Sequence, residues 1–196
     1  MPAAMSGDGN TPISPEELAD LIPSLATKEE LNEWERQNIL RAREWATRHR
    51  RGSPADVVSD EYVRKLHLKM FDETWKWAGQ YRQTDKNIGV PFDEIPERLG
   101  VLFGDVRYWI KNETHSPDEM AVRFHHRLVS IHPFPNGNGR HARLLADVLV
   151  RMCGRPAFTW GSTDLVDRSQ SRARYLDAVR AADRGDMKLL LEFARS

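Results

Sequence analysis

Apolar residues recur along most of this chain at steps of three and four, the spacing that gathers one face of an α-helix. In SDEYVRKLHLKMF, residues 59–71, Val63, Leu66, Met70 and Phe71 share such a face behind a Ser59 cap. In SPDEMAVRFHHRLVSI, residues 116–131, Ser116 caps, Pro117 occupies the first turn, and Ala121, Phe124, Leu128 and Ile131 form the stripe. Pro133 ends that run, and past a short loop Leu144, Leu145, Val148, Leu149 and Met152 make another. Two earlier starts carry capping boxes: SPEEL, with Ser14, Pro15 and Glu17, and TKEEL, with Thr27 and Glu30. The helix after the second carries Leu31, Trp34, Ile39 and Trp45 and dissolves into the basic TRHRRGSP, whose cations suit a helix C-terminus. ERLGVLFGDVRYWI predicts a further helix, and SQSRARYLDAVRAADRGDMKLLLEFA one or two closing helices.

The helical period fails in WAGQYRQTDKNIGVPFDEIP, residues 77–96, where Gly79, Gly89, Pro91 and Pro96 interrupt short runs able to extend. A small β-hairpin or structured loop is expected there. The fold class is therefore mainly α, one helical domain with a small hairpin.

Composition narrows the chemistry. A chain of 196 residues, 40% hydrophobic, suits one sizeable core. Lys plus Arg and Asp plus Glu balance at 29 each, so no global field draws nucleic acid or an anionic membrane, and any anion site must be local. The single Cys153, in an apolar helical run, excludes an internal disulfide and a cysteine metal cluster, and reads as a buried core thiol. MPAAMSGDGNTP has neither a basic start nor an apolar stretch, and nowhere do about 18 apolar residues run together, so a soluble cytoplasmic setting is expected.

The stretch IHPFPNGNGRHARLL, residues 131–145, is chemically unusual because Arg140, His141 and Arg143 enter a helix at its start. A helix N-terminus carries partial positive charge and unpaired N–H groups, so basic residues there ask for a negative ligand. Gly137 and Gly139 permit positive φ and leave backbone N–H groups uncovered, which makes a cradle for phosphate oxygens. Asn138 adds an amide between them, and Arg140 and Arg143, three apart, share a face where forked guanidinium groups hold further oxygens. The alternative is a tight interhelical turn with its arginines in solvent. His132 upstream can take a proton near neutral pH and so activate a hydroxyl beside a bound phosphate. His125 and His126 are adjacent and point apart, and His67 lies on an apolar stripe, so none has metal-site spacing.

HPFPNGNGRHAR resembles the Fic motif H-x-F-x-(D/E)-G-N-G-R-x-x-R, with His132, Phe134, Gly137, Asn138, Gly139, Arg140 and Arg143 in register. LHLKMFDETWKWAGQYR, VRFHHRLVSIHPF and RYLDAVRAADRGDMKLLLEF are similar to flanking family segments, extending the likeness over about residues 55–195. The N-terminal helices, with TDKNIGV and PNGNGRHARL, resemble the mobile-element-associated group called mobile mystery protein B. Rich in Gly, Pro and small residues, 1–12 reads as a flexible N-terminus, and the resemblance implies a Fic-like catalytic domain at 53–196 behind a helical extension at 13–52. It implies transfer of AMP from ATP to a Ser, Thr or Tyr hydroxyl of another protein, cytoplasmic, with Mg²⁺ and with a companion helix-turn-helix regulator. Under it His132 is the general base, Phe134 anchors the loop, and Gly137, Asn138 and Gly139 cradle the α-phosphate. Arg140 and Arg143 hold the outer phosphates, Arg140 and Asn138 count with His132 as catalytic, and Thr84, Asp85, Lys86, Asn87, Ile88, Gly89 and Val90 form a flap that takes a target segment as an added strand.

At the acidic metal-binding position of the motif this chain has Asn136, an amide ligand without the charge that Mg²⁺ favours. Two other readings stay open: transfer of another phosphate-containing group, and a catalytically weakened nucleotide-binding partner of a DNA-binding regulator. Lysine stands at the Gly139 position in the phosphate-transferring branch, which argues against phosphate transfer. The helix at 27–45, with Glu30, Glu33 and Glu35, either presents these glutamates to solvent or covers the site by pairing one with Arg143.

Overall fold

The computed structural model describes residues 18–48, 52–162 and 168–196. The flexible segment expected at 1–12, the start at Ser14 to Glu17 and part of the basic run after Arg48 lie outside them. Among the described residues the chain forms seven α-helices: α1 Lys28–Arg48, α2 Asp60–Phe71, α3 Ile95–Asn112, α4 Pro117–Ile131, α5 Asn138–Met152, α6 Arg168–Asp183 and α7 Lys188–Arg195. Single 3₁₀ turns occupy Pro54–Val57 and Phe92–Glu94.

The caps are those the side chains dictate. Thr27 Oγ1 accepts from the Glu30 N–H at 3.1 Å while Glu30 Oε2 accepts from the Thr27 N–H at 3.2 Å, closing the box ahead of α1. Ser59 and Ser116 accept from the Tyr62 and Glu119 N–H groups, at 3.2 and 3.3 Å, and start α2 and α4. The central pair is α4 and α5, whose stripes meet through fully buried Phe124, Leu128, Leu145 and Leu149. Each such side chain contributes about 1.5 to 3 kcal/mol when removed from water. α2 adds Val63, Leu66, Met70 and Phe71, and α1 lies across α2. The closing segment is two helices, broken at Gly185 with φ 92°, and α7 returns Leu190, Phe193 and Ala194 to the core.

Three expectations change. The inner face of α1 buries Leu31, Glu35, Asn38, Ala42 and Ala46, with Ile39 and Trp45 partly buried against the core, whereas Trp34 lies exposed and donates its indole N–H to the Glu73 carbonyl at 3.0 Å. Two polar residues enter that face because they are satisfied: Asn38 Oδ1 accepts from Thr74 Oγ1 and the Glu73 N–H, both at 3.2 Å. Cys153 caps the end of α5, a free and only partly buried thiol. No hairpin forms at 77–96; among the described residues the single β-pairing is an isolated bridge between Leu21 and Trp75. The backbone of this segment pairs elsewhere. The Arg82 N–H donates to the Pro133 carbonyl at 2.9 Å and the Val90 N–H to that of Ile131 at 3.3 Å, while the Thr84 and Val90 carbonyls accept from the Arg82 side chain. Pro91 lacks the donor a ladder needs.

Candidate active site

His132 caps α4 in the left-handed conformation, φ 55° and ψ 59°, which turns the chain out of the helix and into the loop. That conformation is uncommon for a side-chain-bearing residue, so its surroundings must hold it. The Leu128 carbonyl accepts its N–H at 3.1 Å, and its own carbonyl accepts from Arg82 Nε at 2.7 Å. The imidazole is buried, and burial pushes its pKa down to about 4; a bond to the Val129 backbone opposes the shift, and the cations Arg82 and Lys86 reinforce it. At neutral pH it is an uncharged ring, able to accept a proton.

The loop beyond is fastened from three sides. Phe134 is fully buried and stacked on His67, ring centroids 3.7 Å apart. His67 accepts the Gly79 N–H on Nδ1 at 3.0 Å, which leaves the proton on Nε2 to donate to the Asn136 carbonyl at 3.1 Å. This histidine is the satisfied core residue that its apolar stripe implies, and it also holds the loop. Asn138 is buried, accepting from the Phe134 N–H at 2.9 Å on Oδ1 and donating from Nδ2 to the Phe134 carbonyl at 2.8 Å. This amide, expected to face a phosphate, is engaged with the loop's own backbone. Gly137, at φ 78°, lies so close to Phe71 that a Cβ there would stand 2.5 Å from the ring. Any other residue would push the loop off α2.

The first bond of α5 runs from the His141 N–H to the Gly137 carbonyl at 2.9 Å, so the amides of Asn138, Gly139 and Arg140 precede the helical ladder and face outward as anion donors. A Cβ on Gly139 would meet only the Tyr175 hydroxyl, at 3.9 Å, so the approach there is open. The two arginines differ. Arg140 lies over the Phe71 ring at 5.2 Å and donates to Glu35 Oε2 at 2.5 Å. Glu35, buried on α1, takes the Trp75 indole N–H on its other oxygen at 2.9 Å. Thus an α1 carboxylate does reach the motif, but at Arg140 rather than at Arg143. Glu30 serves the capping box, and Glu33 faces solvent with Arg36. Arg143 lies over the Tyr175 ring at 5.3 Å, and among the described residues no carboxylate closes an ion pair with it. Burial holds its pKa below the ordinary arginine range, with Arg140 and Arg172 acting in the same direction against Tyr175 and Asp147. Such a desolvated cation gains from a bound anion.

The flap residues Thr84 to Val90 lie over the end of α4. Gly89, at φ 101°, touches His132: a Cβ there would stand 2.7 Å from the His132 Cβ. Asp85 Oδ1 accepts from the Phe92 N–H at 2.9 Å. Ile88 is exposed. The structure therefore brings His132, the loop, both arginines and the flap together, and adds Glu35, Arg82, His67 and Tyr175. Arg82 and Tyr175 carry no local sequence signal, whereas His67 shows as a histidine on an apolar stripe and Glu35 as one of the three glutamates the sequence offers on α1.

The metal expectation fares differently. Among the described residues no group of three or more His, Cys, Asp or Glu could hold an ion. Asn136 Oδ1 accepts from the Gly137 N–H at 2.6 Å, so the one oxygen that the motif position offers is neutral and already engaged. These residues do not fit a protein-held Mg²⁺. His125 meets the Tyr175 hydroxyl at 3.3 Å and His126 meets Asp183 at 2.8 Å, which separates that pair as expected.

The Fic/DOC family model matches residues 57–150, from the turn before α2 through most of α5. Proteins named protein adenylyltransferase Fic match over 119 residues, at 30% identity in Culex quinquefasciatus and 32% in Nematostella vectensis. Each match takes 59% of this chain but only 22% and 26% of those proteins, so the chain spans about a quarter of the length of these relatives. Among solved structures, the N-terminal FIC domain of Bep8 from Bartonella sp. 1-1C has a TM-score of 0.68 at 16% identity, covering 98% of this chain and 94% of that one. BepC from Bartonella tribocorum, with bound AMPPNP, has a TM-score of 0.64 at 20% identity, covering 87% of each chain. At such identities the likeness is one of fold. Among the described residues no helix is long and apolar enough to cross a membrane. The matched segment holds the histidine, the glycine loop and Arg140 and Arg143 together, so the likeness to the Fic/DOC family falls on the candidate site itself.

Proposed function

We propose that the protein transfers AMP from ATP to a Ser, Thr or Tyr hydroxyl of a target protein. The observation that carries this reading is the buried, neutral His132 facing into the turn that feeds the α5 N-terminus, where open amides and two arginines gather. His132 takes the hydroxyl proton as the oxygen attacks the α-phosphorus; a new P–O bond forms, the bond to the bridging oxygen breaks, and pyrophosphate leaves. The anionic nucleotide raises the pKa of the ring beside it, so a base that starts near 4 grows stronger when ATP binds. The amides of Asn138, Gly139 and Arg140 stabilise charge on the α-phosphate, and Asn138 serves chiefly by locking the loop that presents them. Arg143 holds the γ-phosphate, and Arg140 the β-phosphate once it leaves Glu35. Names of the relatives support the choice of AMP, and Gly139 argues against the phosphate-transferring variant.

The flap at 84–90 offers its outer edge to a target segment. Residues 13–52 act as a regulatory extension of a catalytic unit at 53–196, since α1 delivers Glu35 to Arg140. The sequence likeness favours the mobile mystery protein B group, a cytoplasmic setting and a helix-turn-helix companion. Mg²⁺, where used, is carried by the nucleotide. A second reading, a weakened nucleotide-binding module, is favoured by Asn136 and by the occupied Arg140. Incubation with ATP labelled at the α-phosphate and a bacterial lysate separates the two: labelled protein, absent with His132→Ala, supports transfer, and ATP binding without label supports the module.

A further inference from the structure

We propose that Arg82 is a positioning residue that clasps the flap to the catalytic turn and so sets the register in which a target hydroxyl meets His132. The inference rests on the transfer reading above. Arg82 is 2% exposed, yet its nearest carboxylate, Asp85, is 3.7 Å away with an exposed side chain. A buried cation so poorly neutralised is costly, and an apolar residue would fill the space more cheaply. Its donors go instead to carbonyls on both sides of one seam. Nε donates to His132 O at 2.7 Å, and Nη2 to Ile131 O at 3.5 Å, on the catalytic turn. Nη1 donates to Thr84 O at 3.0 Å, and Nη2 to Val90 O, at the two ends of the flap.

The backbone repeats the connection. The Arg82 N–H reaches Pro133 O at 2.9 Å, and the Val90 N–H reaches Ile131 O at 3.3 Å. Gly89 closes the seam, because a Cβ there would stand 2.7 Å from His132 Cβ, 2.9 Å from Arg82 Nη2 and 3.0 Å from Ile131 O. Only a planar fork of donors satisfies four divergent carbonyls at once; the single ammonium of lysine does not. The phosphate cradle lies beyond Phe134, fastened by His67 and Asn138, and takes no bond from Arg82. The clasp thus governs the acceptor side of the reaction and leaves the nucleotide side alone.

The test measures transfer of α-labelled AMP to lysate proteins and to the chain itself, with ATP affinity by calorimetry, for Arg82→Lys and Gly89→Ala. The second variant displaces the flap with Arg82 intact, so it reports even where the first fails to fold. Expected is a loss of transfer of about 10²-fold, the effect of a misplacement near 1 Å, with ATP affinity unchanged within about twofold. Transfer at the wild-type rate in both, or transfer and ATP affinity falling in step, overturns the proposal. Should the wild-type protein label nothing, the transfer reading fails, and amide exchange then tests the clasp alone. Arg82→Lys must speed exchange at Val90 while leaving α5 protected, and unaltered exchange at Val90 overturns it.

Discussion

Arg82 and Arg143 are both partly or wholly buried arginines within one catalytic loop's reach, yet they do opposite things. Arg82 spends its guanidinium on four backbone carbonyls and is closed to any ligand. Arg143 lies over an aromatic ring with no ion pair among the described residues, so its charge awaits a partner. Arg140 stands between them, held by a buried carboxylate that a phosphate would have to replace under the proposed transfer. A buried cation is thus a fastener, a binding group or a restrained binding group according to which oxygens surround it.

The acceptor side breaks first. Replacing His132 with Ala should lower transfer by about 10² to 10⁴-fold while ATP affinity stays within a few fold, since a general base acts on the hydroxyl proton. Label transfer and calorimetry on the same preparation check both halves, and unchanged transfer removes His132 from that role. On the nucleotide side, Arg143→Ala should weaken ATP by about 1.5 to 3 kcal/mol and AMP much less, because only the outer phosphates lose a charge-assisted contact. Equal losses for the two nucleotides would put Arg143 elsewhere.

Behind both sides lie rings that must remain neutral. His141 is fully buried with its Nε2 on the Val63 carbonyl at 2.9 Å, and burial pushes its pKa down to about 4. The unfolded chain takes up that proton near pH 6.5, so the stability held above pH 6.5 is lost as the pH falls toward 4. Between pH 6.5 and 5 this ring alone should account for about 2 kcal/mol, and His67 and His125, also depressed by burial, add to the slope. Thermal unfolding at the two pH values, with His141→Leu as the flatter comparison, measures it.

The restrained arginine offers a smaller change. Glu35→Gln keeps an acceptor for the Trp75 indole but removes the negative charge that pairs with Arg140, so ATP should bind about tenfold tighter, the equivalent of about 1.4 kcal/mol. Unaltered affinity would reduce the Glu35–Arg140 pair to packing. The smallest effect belongs to Asn136→Asp. One carboxylate oxygen can keep the Gly137 N–H while the other meets a nucleotide-borne Mg²⁺, raising transfer at low Mg²⁺ by about fivefold, a gain near 1 kcal/mol. Metal titration of both proteins decides it; weaker ATP binding with no gain would mean that the added charge repels the phosphates.

Residues that act through their neighbours along the chain are legible in the sequence alone. Ser59, Ser116 and the Thr27–Glu30 box start their helices because a cap needs only three or four residues, and the stripes of α2, α4 and α5 find the core because helical spacing is local. The candidate loop is legible for the same reason: Gly137 beside Phe134 and the paired Arg140 and Arg143 lie within one short stretch feeding a helix. Choices that depend on distant partners are not. Glu35 meets Arg140 across 105 residues and Arg82 meets His132 across 50, and neither distance leaves a mark in local composition. The expected hairpin fails on this ground, since Thr84 and Val90 have a better partner in a guanidinium than in each other. Periodicity and capping are short-range forces written in order along the chain, whereas the pairing of a buried charge is settled only when packing decides which oxygens it can reach.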